Sequence, residues 1–569
     1  MTQNAQAAQQ YQTWLQDELI DEATKTELRA LEGNAKEIED RFYRDLEFGT
    51  GGLRGVMGAG TNRMNAYTVG KATQGLANWL LSQSDKPAVV IAHDSRNLSP
   101  EFAKYAAQVL AGNGIVTYLF RSLRPTPQLS YAVRSLGAQG GIVITASHNP
   151  PEYNGYKVYG GDGCQLVPHE AEQVIAAIQQ LNGFGEIRRS SQAEAEAAGL
   201  IRWLDESADE QYTDTVISVS PNLKALQEGL GSQVSVVFTP LHGTGNLPIR
   251  SVLRKAGFTQ VHIVEQQEQP DGYFSTVKSP NPEEREAFTL AIKLAEERQA
   301  DLIIGTDPDC DRMGAVVKNQ QGEYVVLSGN QSGAIMVHYL LSQLQTQGKL
   351  PSNGVVVKTI VTSEMGADIA RHYGAEVVNT LTGFKYIGEK MTEYERTGEH
   401  TFLFGYEESY GYLTGTYARD KDAVVASLLI SEAAAYYKSQ GKTLYDVLQE
   451  LYAQFGHYQE HLESRTLKGV DGVQQIAAIM EDWRHRAPQS IAGVAVTELQ
   501  DYLPGRDGLP PENVLKFILA DGSWFCLRPS GTEPKIKVYF AVRGASGQEA
   551  AAAIEKLTNE VMARVDNQA

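Results

Sequence analysis

The chain has 569 residues, of which 42% are hydrophobic and 21% are charged, so it can form several globular domains with ordinary cores. Its 69 acidic and 50 basic side chains give a formal net charge of −19. This balance argues against nucleic acid as a partner, because binding to a phosphate backbone needs a basic surface. Any phosphate ligand must be bound by local basic clusters that act against the overall field.

The three cysteines, Cys164, Cys310 and Cys526, lie far apart in the sequence and predict neither a disulfide framework nor a zinc site. A reducing cytoplasm is therefore the location we expect. The first residues, MTQNAQAAQQYQTW, lack the basic region and apolar segment of a signal peptide. No stretch reaches the roughly 18 continuous apolar residues of a membrane helix, so we expect no membrane partner.

The first 46 residues or so are predicted to be helical, because apolar side chains such as Trp14, Leu28 and Leu31 recur at near-helical spacing among polar residues. A glycine-rich turn, GTGGLRG, follows at 49–55. Strand-like and helix-like segments alternate from there on. This alternation favours α/β domains with largely parallel sheets.

Three later stretches resemble one another, since each is a short β-branched strand that ends in a polar turn. They are AVVIAHDSR (88–96), VSVVFTPLHGTG (234–245) and GVVVKTIVTSE (354–364). Their spacing of more than a hundred residues excludes a solenoid and fits three related α/β domains. Independent βαβ units are the alternative, because such units are common.

The segment GIVITASHNPPEYNGYKVYGGDG (141–163) carries the first set of candidate catalytic residues. A predicted strand ends just before Ser147 and His148, on a loop that two prolines restrict. Ser147 is a candidate nucleophile, although a serine in a polar turn is also an ordinary turn former. Lys157, later in the same segment, could act as a base or bind phosphate.

Three aspartates at alternate positions, Asp307, Asp309 and Asp311, follow an apolar strand in the run TDPDCDR. If this run stays extended, the three carboxylates share one face, where they repel one another unless a cation lies between them. Oxygen ligands of this kind suit Mg²⁺. A calcium EF-hand is excluded, because Arg312 and Lys318 stand where it needs Gly and Glu; a solvated acidic turn is the other alternative.

Two loops further on could bind sugar hydroxyls. TLTGFKYIGEK (380–390) carries Thr382 and Lys385, and FGYEESYGYL (404–413) carries Glu407 and Ser409 among tyrosines. Carboxylate and hydroxyl groups beside aromatic rings suit a sugar, although loops at strand ends are often of this composition. Lys421 follows, before a helix that neighbouring aspartates could cap.

The C-terminal region differs from the rest and is predicted to be a separate α+β domain. In VLKFILADGSWFCLRPS, Asp521 and Gly522 predict a two-residue hairpin turn, and a further strand (536–542) and a helix (548–565) follow. Residues 466–506 are predicted to form an opening helix and a loop. The four predicted domains span residues 1–215, 216–328, 329–460 and 461–569.

RPSGTEPKIK (528–537) in this last region could hold a phosphate. Its cations and hydroxyls, with a glycine that lets backbone N–H groups form a concave nest, can bind a dianion. A Pro-Gly turn that leads into a strand is the structural alternative. The residues concerned are Arg528, Ser530, Gly531, Thr532 and Lys537.

Together, TASHNP, DPDCDR, GYEES and RPSGTEPKIK resemble the four signature loops of the α-D-phosphohexomutase superfamily, in its phosphoglucomutase and phosphopentomutase branch. The resemblance extends from about Leu46 to the C-terminus. It implies a heart-shaped molecule in which three related α/β domains and a fourth, α+β domain surround a central cleft. The chain departs from the family in two places. In the run DPDCDR, Pro308 and Cys310 stand where many relatives have Gly, and we expect their side chains to point away from the metal. We expect Tyr406, before the glutamates of GYEES, to have a bearing on sugar choice.

The resemblance also implies a role for each candidate residue. Ser147 would be the phosphoserine and, with Asp307, Asp309 and Asp311, would bind Mg²⁺. Lys157 would be the general base, assisted by His148, with Arg54 near the transferred group. Residues that would bind substrate are Arg312, Thr382, Lys385, Glu407, Ser409, Lys421, Arg528, Ser530, Gly531, Thr532 and Lys537.

The implied activity is the interconversion of glucose 1-phosphate and glucose 6-phosphate through glucose 1,6-bisphosphate. Within the branch, a phosphopentomutase, a phosphomannomutase or a sugar bisphosphate synthase is the alternative. A phosphoserine hydrolase would also use serine and metal, but it needs neither a hydroxyl-binding loop nor a second phosphate site. Small sugar phosphates are the expected partners, and both a monomer and a dimer are compatible with the sequence.

Overall fold

This computed structural model describes residues 3–49, 51–467, 469–530 and 535–567. Within them, four β-sheets of six, five, four and six strands follow one another along the chain. The first three are mixed sheets with helices around them and the fourth is antiparallel. This arrangement confirms the predicted fold class of three α/β domains and a C-terminal α+β domain.

The N-terminal region is helical, as predicted. Trp14 lies at its centre, with its ring centroid 5.7 Å from that of Phe42 and 5.4 Å from those of Tyr67 and Phe184. This aromatic cluster attaches the helices to the first α/β domain, because Tyr67 and Phe184 belong to that domain. The three helices are α1 (Gln3–Gln16), α2 (Glu22–Arg29) and α3 (Ala35–Phe42).

The first sheet has the strand order β1-β5-β4-β2-β3-β6. Its strands are β1 (Gly52–Val56), β2 (Ala88–His93), β3 (Val116–Phe120), β4 (Gly140–Ile144), β5 (Tyr153–Gly160) and β6 (Ile201–Leu204). Its helices are α4 (Ala66–Gln83), α5 (Ser99–Gly112), α6 (Thr126–Ser135), α7 (Pro168–Gln179), α8 (Gln192–Ala197) and α9 (Glu206–Ser218). From β2 the chain passes to β3 on one side and then to β4 on the other. The carboxyl ends of β2 and β4 thus meet at a topological switch point, where α/β sheets usually bind ligands.

The second sheet has the order β11-β10-β9-β7-β8 and ends in a tight antiparallel connection between β9 and β10. The six residues of this connection, 307–312, include the aspartate triplet. The elements are α10 (Leu223–Ala225), β7 (Ser235–Thr239), α11 (Asn246–Lys255), β8 (Gln260–Ile263), α12 (Thr289–Arg298), β9 (Leu302–Thr306), β10 (Met313–Lys318) and β11 (Tyr324–Val326).

The third sheet, with the order β13-β12-β14-β15, delivers Glu407 at the end of its strand β14. Its strands are β12 (Gly354–Thr359), β13 (Glu376–Thr380), β14 (Thr401–Glu407) and β15 (Gly411–Thr414). Its helices are α13 (Gly329–Thr346), α14 (Glu364–His372), α15 (Phe384–Thr397), α16 (Ala423–Lys438) and α17 (Leu444–Phe455). Among the described residues, no helix has the length and apolar character needed to cross a membrane.

The fourth sheet has the order β16-β21-β20-β19-β18-β17, with two helices. The strands are β16 (His457–Thr466), β17 (Ser490–Ile491), β18 (Val494–Asp501), β19 (Leu515–Leu519), β20 (Trp524–Pro529) and β21 (Lys535–Gly544). The helices are α18 (Gly469–His485) and α19 (Gly547–Asp566). β17 and β18 occupy part of the segment where we expected a loop. β17 is only two residues long and half of β18 is polar or charged, which gave too weak an apolar pattern to predict a strand.

The predicted hairpin joins β19 and β20, but its turn has three residues rather than two. Leu519 N donates to Ser523 O, so residues 520–522 form the loop, with Gly522 at φ 84°. A left-handed glycine at the last loop position is typical of three-residue hairpins. The Asp-Gly pair therefore predicted the turn correctly and its length wrongly.

Two predicted domain boundaries fall inside secondary-structure elements. Residues 215 and 216 lie within α9, and residues 460 and 461 lie within β16. Over all its ten residues β16 pairs with β21, so residues 457–460 belong to the fourth sheet. Sequence patterns could not show this, because the pairing joins segments about 80 residues apart.

Tyr406 lies in the core of the third domain and does not face a ligand, contrary to the expectation that it bears on sugar choice. Its side chain is fully buried. Two glycines make room for the ring. A Cβ on Gly333 would lie 2.4 Å from ring carbons of Tyr406, and one on Gly366 would lie 2.1 Å from its hydroxyl oxygen.

We therefore expect Gly333→Ala to destabilise the protein by about 1–3 kcal/mol, because the ring is held from both sides and cannot move away. This cost should exceed the gain of roughly 1 kcal/mol from replacing a helical glycine by alanine. Urea unfolding measures the effect. The matched control is Gly183→Ala, where the new Cβ meets no atom within 4 Å. Equal stability of both variants would contradict the packing argument.

Candidate active site

Ser147 lies on the loop that follows β4, and its hydroxyl is one of the groups through which the first domain contacts the second. Its Oγ donates to Asp307 Oδ2 at 2.8 Å and lies 3.3 Å from His148 Nδ1. The side chain is only 3% exposed, and the backbone has φ 53°, which is strained for a serine. Such strain is maintained only where the surroundings fix the backbone.

Arg96, at the end of β2, fixes this loop, and its role was not predicted. Its guanidinium donates to Ser147 O at 2.6 Å and Asn149 O at 2.5 Å, and further to the carbonyls of Pro150 and Tyr153. Its Nε lies 3.3 Å from Asp94 Oδ2, and both side chains are fully buried. Four carbonyls of one loop are thus held by a single buried cation.

Asp94 completes this support. Its Oδ2 accepts from Thr145 Oγ1 at 2.6 Å, and Thr145 Oγ1 in turn accepts from Ser147 N at 2.8 Å. The signal in the sequence was the polar HDSR turn after β2, which was noted there only as the end of a strand. The turn lies at the switch point between β2 and β4, which places Asp94 and Arg96 beside the serine loop.

The aspartate triplet converges, but not in the way we expected. The run is a turn rather than an extended segment, because Cys310 N donates to Asp307 O at 2.9 Å and Cys310 has φ 55°. Each of the three aspartates still offers an oxygen within 4.8 Å of the others, and all three are buried. Cys310 itself lies in the apolar core, as we expected of a side chain that points away from a metal.

These residues fit a hard divalent cation such as Mg²⁺. Asp309 Oδ1 and Asp311 Oδ1 are buried and accept no hydrogen bond from the described part of the chain. Burial, with the charges of Asp309 and Asp311, raises the pKa of Asp307 well above its usual range. Three carboxylates in this position need a positive charge between them.

Several side chains partly compensate this negative charge. Lys157 Nζ lies 2.8 Å from Asp309 Oδ2 and 3.2 Å from Asp311 Oδ2, and Lys421 Nζ lies 3.3 Å from Asp311 Oδ2. Although burial opposes it, these lysines and Arg312 lower the pKa of Asp311 strongly. The pKa of Lys157 is raised, since the two carboxylates outweigh the effect of its burial.

Thr126, at the start of α6, is a further residue that sequence reasoning missed. Its Oγ1 donates to Asp309 Oδ2 at 2.8 Å and its N donates to Asp309 O at 2.9 Å. The first domain therefore holds the middle aspartate of the second through both the side chain and the backbone. Residues this far apart in the sequence gave no local signal of the contact.

The predicted sugar-binding loops of the third domain converge at Glu407. Its Oε1 accepts from Gly383 N at 2.9 Å, and burial raises the pKa of Glu407 to about 7. The hydroxyl of Thr382, next to Gly383, is buried and has no hydrogen-bond partner within the described segments. A carboxylate and an unpaired hydroxyl side by side are suited to a ligand hydroxyl.

The remaining predicted residues lie around this centre. Arg312 donates to Glu283 Oε1 at 2.9 Å and to the carbonyl of Ser409 at 3.1 Å, which links the metal loop to the sugar loop. Arg54 donates to Asn149 Oδ1 at 3.1 Å, beside the serine loop. Lys385 lies apart from these, with its ammonium 5.2 Å from the ring centroid of Tyr386.

The predicted phosphate loop is described only in part, since Gly531 and Thr532 lie outside the described residues. Arg528 and Lys537 stand opposite each other on β20 and β21, and Ser530 N donates to Lys535 O at 2.7 Å. Arg528 Nε lies 3.0 Å from Glu512 Oε1. Burial lowers the pKa of Lys537, and the charges of Arg528 and Lys535 lower it further, so this corner has a surplus of positive charge.

His148 is the neutral group of the site. Burial, with the charges of Arg312 and Arg54, holds the pKa of His148 well below its usual range. It is therefore held as a neutral imidazole that can accept a hydrogen bond, whereas the ammonium of Lys157 is held in its charged form. The serine, a neutral base and the acidic triad thus form one compact centre.

Comparison with known families accounts for the four sheets in order. Family models described as Phosphoglucomutase/phosphomannomutase, alpha/beta/alpha domains I, II and III, match residues 45–183, 210–322 and 328–455. The model of the C-terminal domain of the same family matches residues 465–559. The four matches cover more than two thirds of the chain.

Curated relatives agree. A phosphoglucomutase of Staphylococcus haemolyticus is 40% identical over 515 residues, which are 89% of this chain and 91% of that protein. A phosphoglucomutase of Staphylococcus aureus (strain bovine RF122 / ET3-1) is 38% identical over 523 residues, again 89% of this chain and 91% of that protein.

Solved structures share the fold. Parafusin, a phosphoglucomutase of Paramecium, in its open form, has a TM-score of 0.71 at 19% identity and covers 92% of this chain and 95% of its own. An N-acetylphosphoglucosamine mutase of Aspergillus fumigatus, in complex with GlcNAc-6P and magnesium, has a TM-score of 0.51 at 14% identity, covering 92% and 96%.

We expect Asp307→Asn to abolish metal binding while leaving the metal-free protein about as stable as before. Burial and the neighbouring aspartates raise the pKa of Asp307 and so disfavour its charged form, and a neutral asparagine of the same size can reproduce its contacts with Ser147 and two backbone N–H groups. Thermal unfolding with chelator and with Mg²⁺ tests this. Mg²⁺ should raise the Tm of the parent and of the exposed control Asp85→Asn, but not that of Asp307→Asn.

Proposed function

The chain belongs to the phosphoglucomutase/phosphomannomutase family, and from that premise we propose the residues and steps by which it interconverts glucose 1-phosphate and glucose 6-phosphate. It is an isomerase that transfers a phosphoryl group within a sugar phosphate. The observation that carries the proposal is the 2.8 Å hydrogen bond from Ser147 Oγ to Asp307 Oδ2. It brings a nucleophile from one domain to a triad of carboxylates from another.

In our proposal, Ser147 carries the phosphoryl group, and the three aspartates with Ser147 hold Mg²⁺. The Aspergillus mutase with magnesium is a precedent for the metal within this fold. The bound ion would offset the charge on the phosphoryl oxygens. Arg96 holds the serine in its strained conformation, so the hydroxyl is positioned before substrate arrives.

Lys157 is the proposed general base for the sugar hydroxyl, with His148 assisting. The amine can accept a proton only after it has lost its own, and the charges of Asp309 and Asp311 oppose that loss. Neutralisation of these carboxylates would release Lys157 from the constraint. His148 is already neutral and lies next to Ser147 Oγ, where it can take or return the proton of the serine hydroxyl.

The proposed route has two half-reactions. The phosphoserine gives its phosphoryl group to one hydroxyl of the sugar monophosphate, which forms glucose 1,6-bisphosphate. The bisphosphate then reorients, and Ser147 recovers a phosphoryl group from the other end. Thr382, Glu407, Ser409 and Lys421 would bind the sugar. The non-reacting phosphate would bind at Arg528, Ser530, Gly531, Thr532 and Lys537, with Arg312 and Lys385 nearby.

The surplus positive charge at Lys537 supports the second phosphate site, because a bound dianion would relieve it. It also favours a mutase over a phosphoserine hydrolase, which needs no such site. Pentose and mannose phosphates are alternative substrates of the same chemistry. Comparing turnover of glucose, mannose and ribose 1-phosphates would rank them.

Two further assignments are part of the proposal. The three cysteines are free and buried, which suits the reducing cytoplasm we propose as its location. We also propose that the chain is divided into four domains around one cleft, as the sequence predicts. The boundary between the second and third domains then falls after residue 328, where α13 begins at Gly329.

Ser147→Ala should lose mutase turnover while the fold stays intact, because the phosphoryl acceptor is removed but Arg96 still holds the loop through its backbone carbonyls. Intact-mass measurement of the parent enzyme should show one phosphate, and the variant should show none. Circular dichroism and the Tm serve as controls of folding. Substantial mutase turnover by the alanine variant would refute the assignment of Ser147.

Arg528→Ala should weaken binding of glucose 1-phosphate about tenfold to a hundredfold, since a charge-assisted contact contributes roughly 1.5–3 kcal/mol. Ser147 should still become phosphorylated when glucose 1,6-bisphosphate is supplied in large excess. Arg486→Ala, an exposed position in the same domain, is the control. Unchanged KM and kcat in Arg528→Ala would favour the hydrolase.

A further inference from the structure

A cavity lies in the first domain, at the carboxyl ends of β2 and β3. We refer to it as the β2–β3 cavity; it has a volume of about 250 Å³, and its walls include His93, Lys104, Leu119, Phe120, Arg121 and Trp203. It is separate from the site around Ser147, since none of the residues proposed above to bind substrate or metal lines it. Drug-sized ligand pockets have volumes of about 300–1,000 Å³, so this cavity suits a smaller molecule.

Two cations, Lys104 and Arg121, line its rim. Neither Lys104 nor Arg121 forms an ion pair or a hydrogen bond with any described residue, although the chain carries 69 acidic side chains. Arg121 lies over the ring of Trp203, 5.4 Å from its centroid. This stacking holds the guanidinium at the cavity, which reduces the entropy lost when a ligand binds.

A neighbouring arginine, unlike Lys104 and Arg121, is paired with a carboxylate. Arg124, three residues later, is neutralised by Asp209 through two hydrogen bonds of 2.6 Å. Glu196 and Asp205 interact with Arg121 only through their charges, since Glu196 accepts from Trp203 Nε1 at 2.8 Å and Asp205 caps α9. The N–H groups of Arg121 therefore remain available to a ligand.

The inner wall is apolar apart from one imidazole. Leu119 and Phe120 are 2% and 1% exposed, and His93 is 7% exposed. His93 Nδ1 contacts the Asp94 carbonyl at 2.9 Å, so one ring nitrogen is held by the backbone and the ring presents its other edge as the polar group of the wall.

We propose that the β2–β3 cavity is a binding site for a small organic phosphate, distinct from the site of phosphoryl transfer. Lys104 and Arg121 bind the phosphate at the rim, and Leu119, Phe120 and Trp203 cover the apolar part of the molecule. His93 lies next to Asp94, which supports the serine loop. A ligand that contacts His93 therefore lies one residue away from the carboxylate that supports the serine loop.

Phenyl phosphate is a suitable probe, because it combines a dianion with a small apolar ring. Titration calorimetry is carried out on the full-length enzyme with Mg²⁺ and a saturating mixture of glucose 1-phosphate and glucose 6-phosphate, which fills the catalytic cleft. The parent protein should bind one equivalent. Arg121→Glu and Lys104→Glu should each weaken binding by about tenfold or more, because an attractive charge becomes a repulsive one.

The matched control is Arg188→Glu, the same charge reversal at an exposed arginine of the first domain outside the cavity. It should bind the probe as the parent does, and mutase turnover should be unchanged in all three variants. Inorganic phosphate should bind at least tenfold more weakly than phenyl phosphate, since it leaves the apolar wall uncovered. No binding, binding unaffected by Arg121→Glu, or equal binding of inorganic phosphate would each overturn the proposal.

Discussion

Three buried carboxylates held within 4.8 Å of one another are the constraint on which the rest of the structure depends. Left alone, such a group repels itself and costs desolvation energy. The protein meets this cost with groups from several domains: Lys157 and Thr126 come from the first and Lys421 from the third. The relative placement of three domains is thus coupled to the charge of one turn.

Contacts between the domains fit this view. Tyr159 of the first domain donates to Asp420 of the third at 2.7 Å, and Tyr212 donates to Asp422 at 2.8 Å. Asp420 in turn lies 3.1 Å from Lys421 Nζ. The lysine that reaches the triad is therefore oriented by an aspartate that the first domain holds. Changes at this interface should be felt at the aspartate triad, because packed interiors transmit displacements.

Much of the site could be predicted from the sequence, because its chemistry requires particular residue types in short runs. Ser147, the aspartate triplet and Glu407 lie at strand ends, where such groups are expected to converge. Arg96 and Thr126 could not be found in this way, since their meaning depends on contacts with segments 50 to 180 residues away. The extended triplet was wrong for a related reason: a tight connection between β9 and β10 leaves room only for a turn.

The strands were likewise predicted where the local sequence pattern is strong and missed where it is weak. Buried parallel strands such as β2, β7 and β12 are continuous β-branched runs and were predicted correctly. β18 was missed, because half of its residues are charged or polar. Tyr406 was misjudged because it stands beside glutamates in the sequence, whereas alternation along β14 turns its ring away from them into the core.

The distribution of charge connects these findings with the reaction. The chain as a whole is strongly acidic and should repel a sugar phosphate. Within the cleft, however, the aspartates already use Lys157 and Lys421, while Arg528 and Lys537 lie together with Glu512 as the one carboxylate paired with them in the described residues. Arg528 and Lys537 thus form a local basic cluster in an otherwise acidic protein, and such a cluster is what binding a phosphate against the overall field requires.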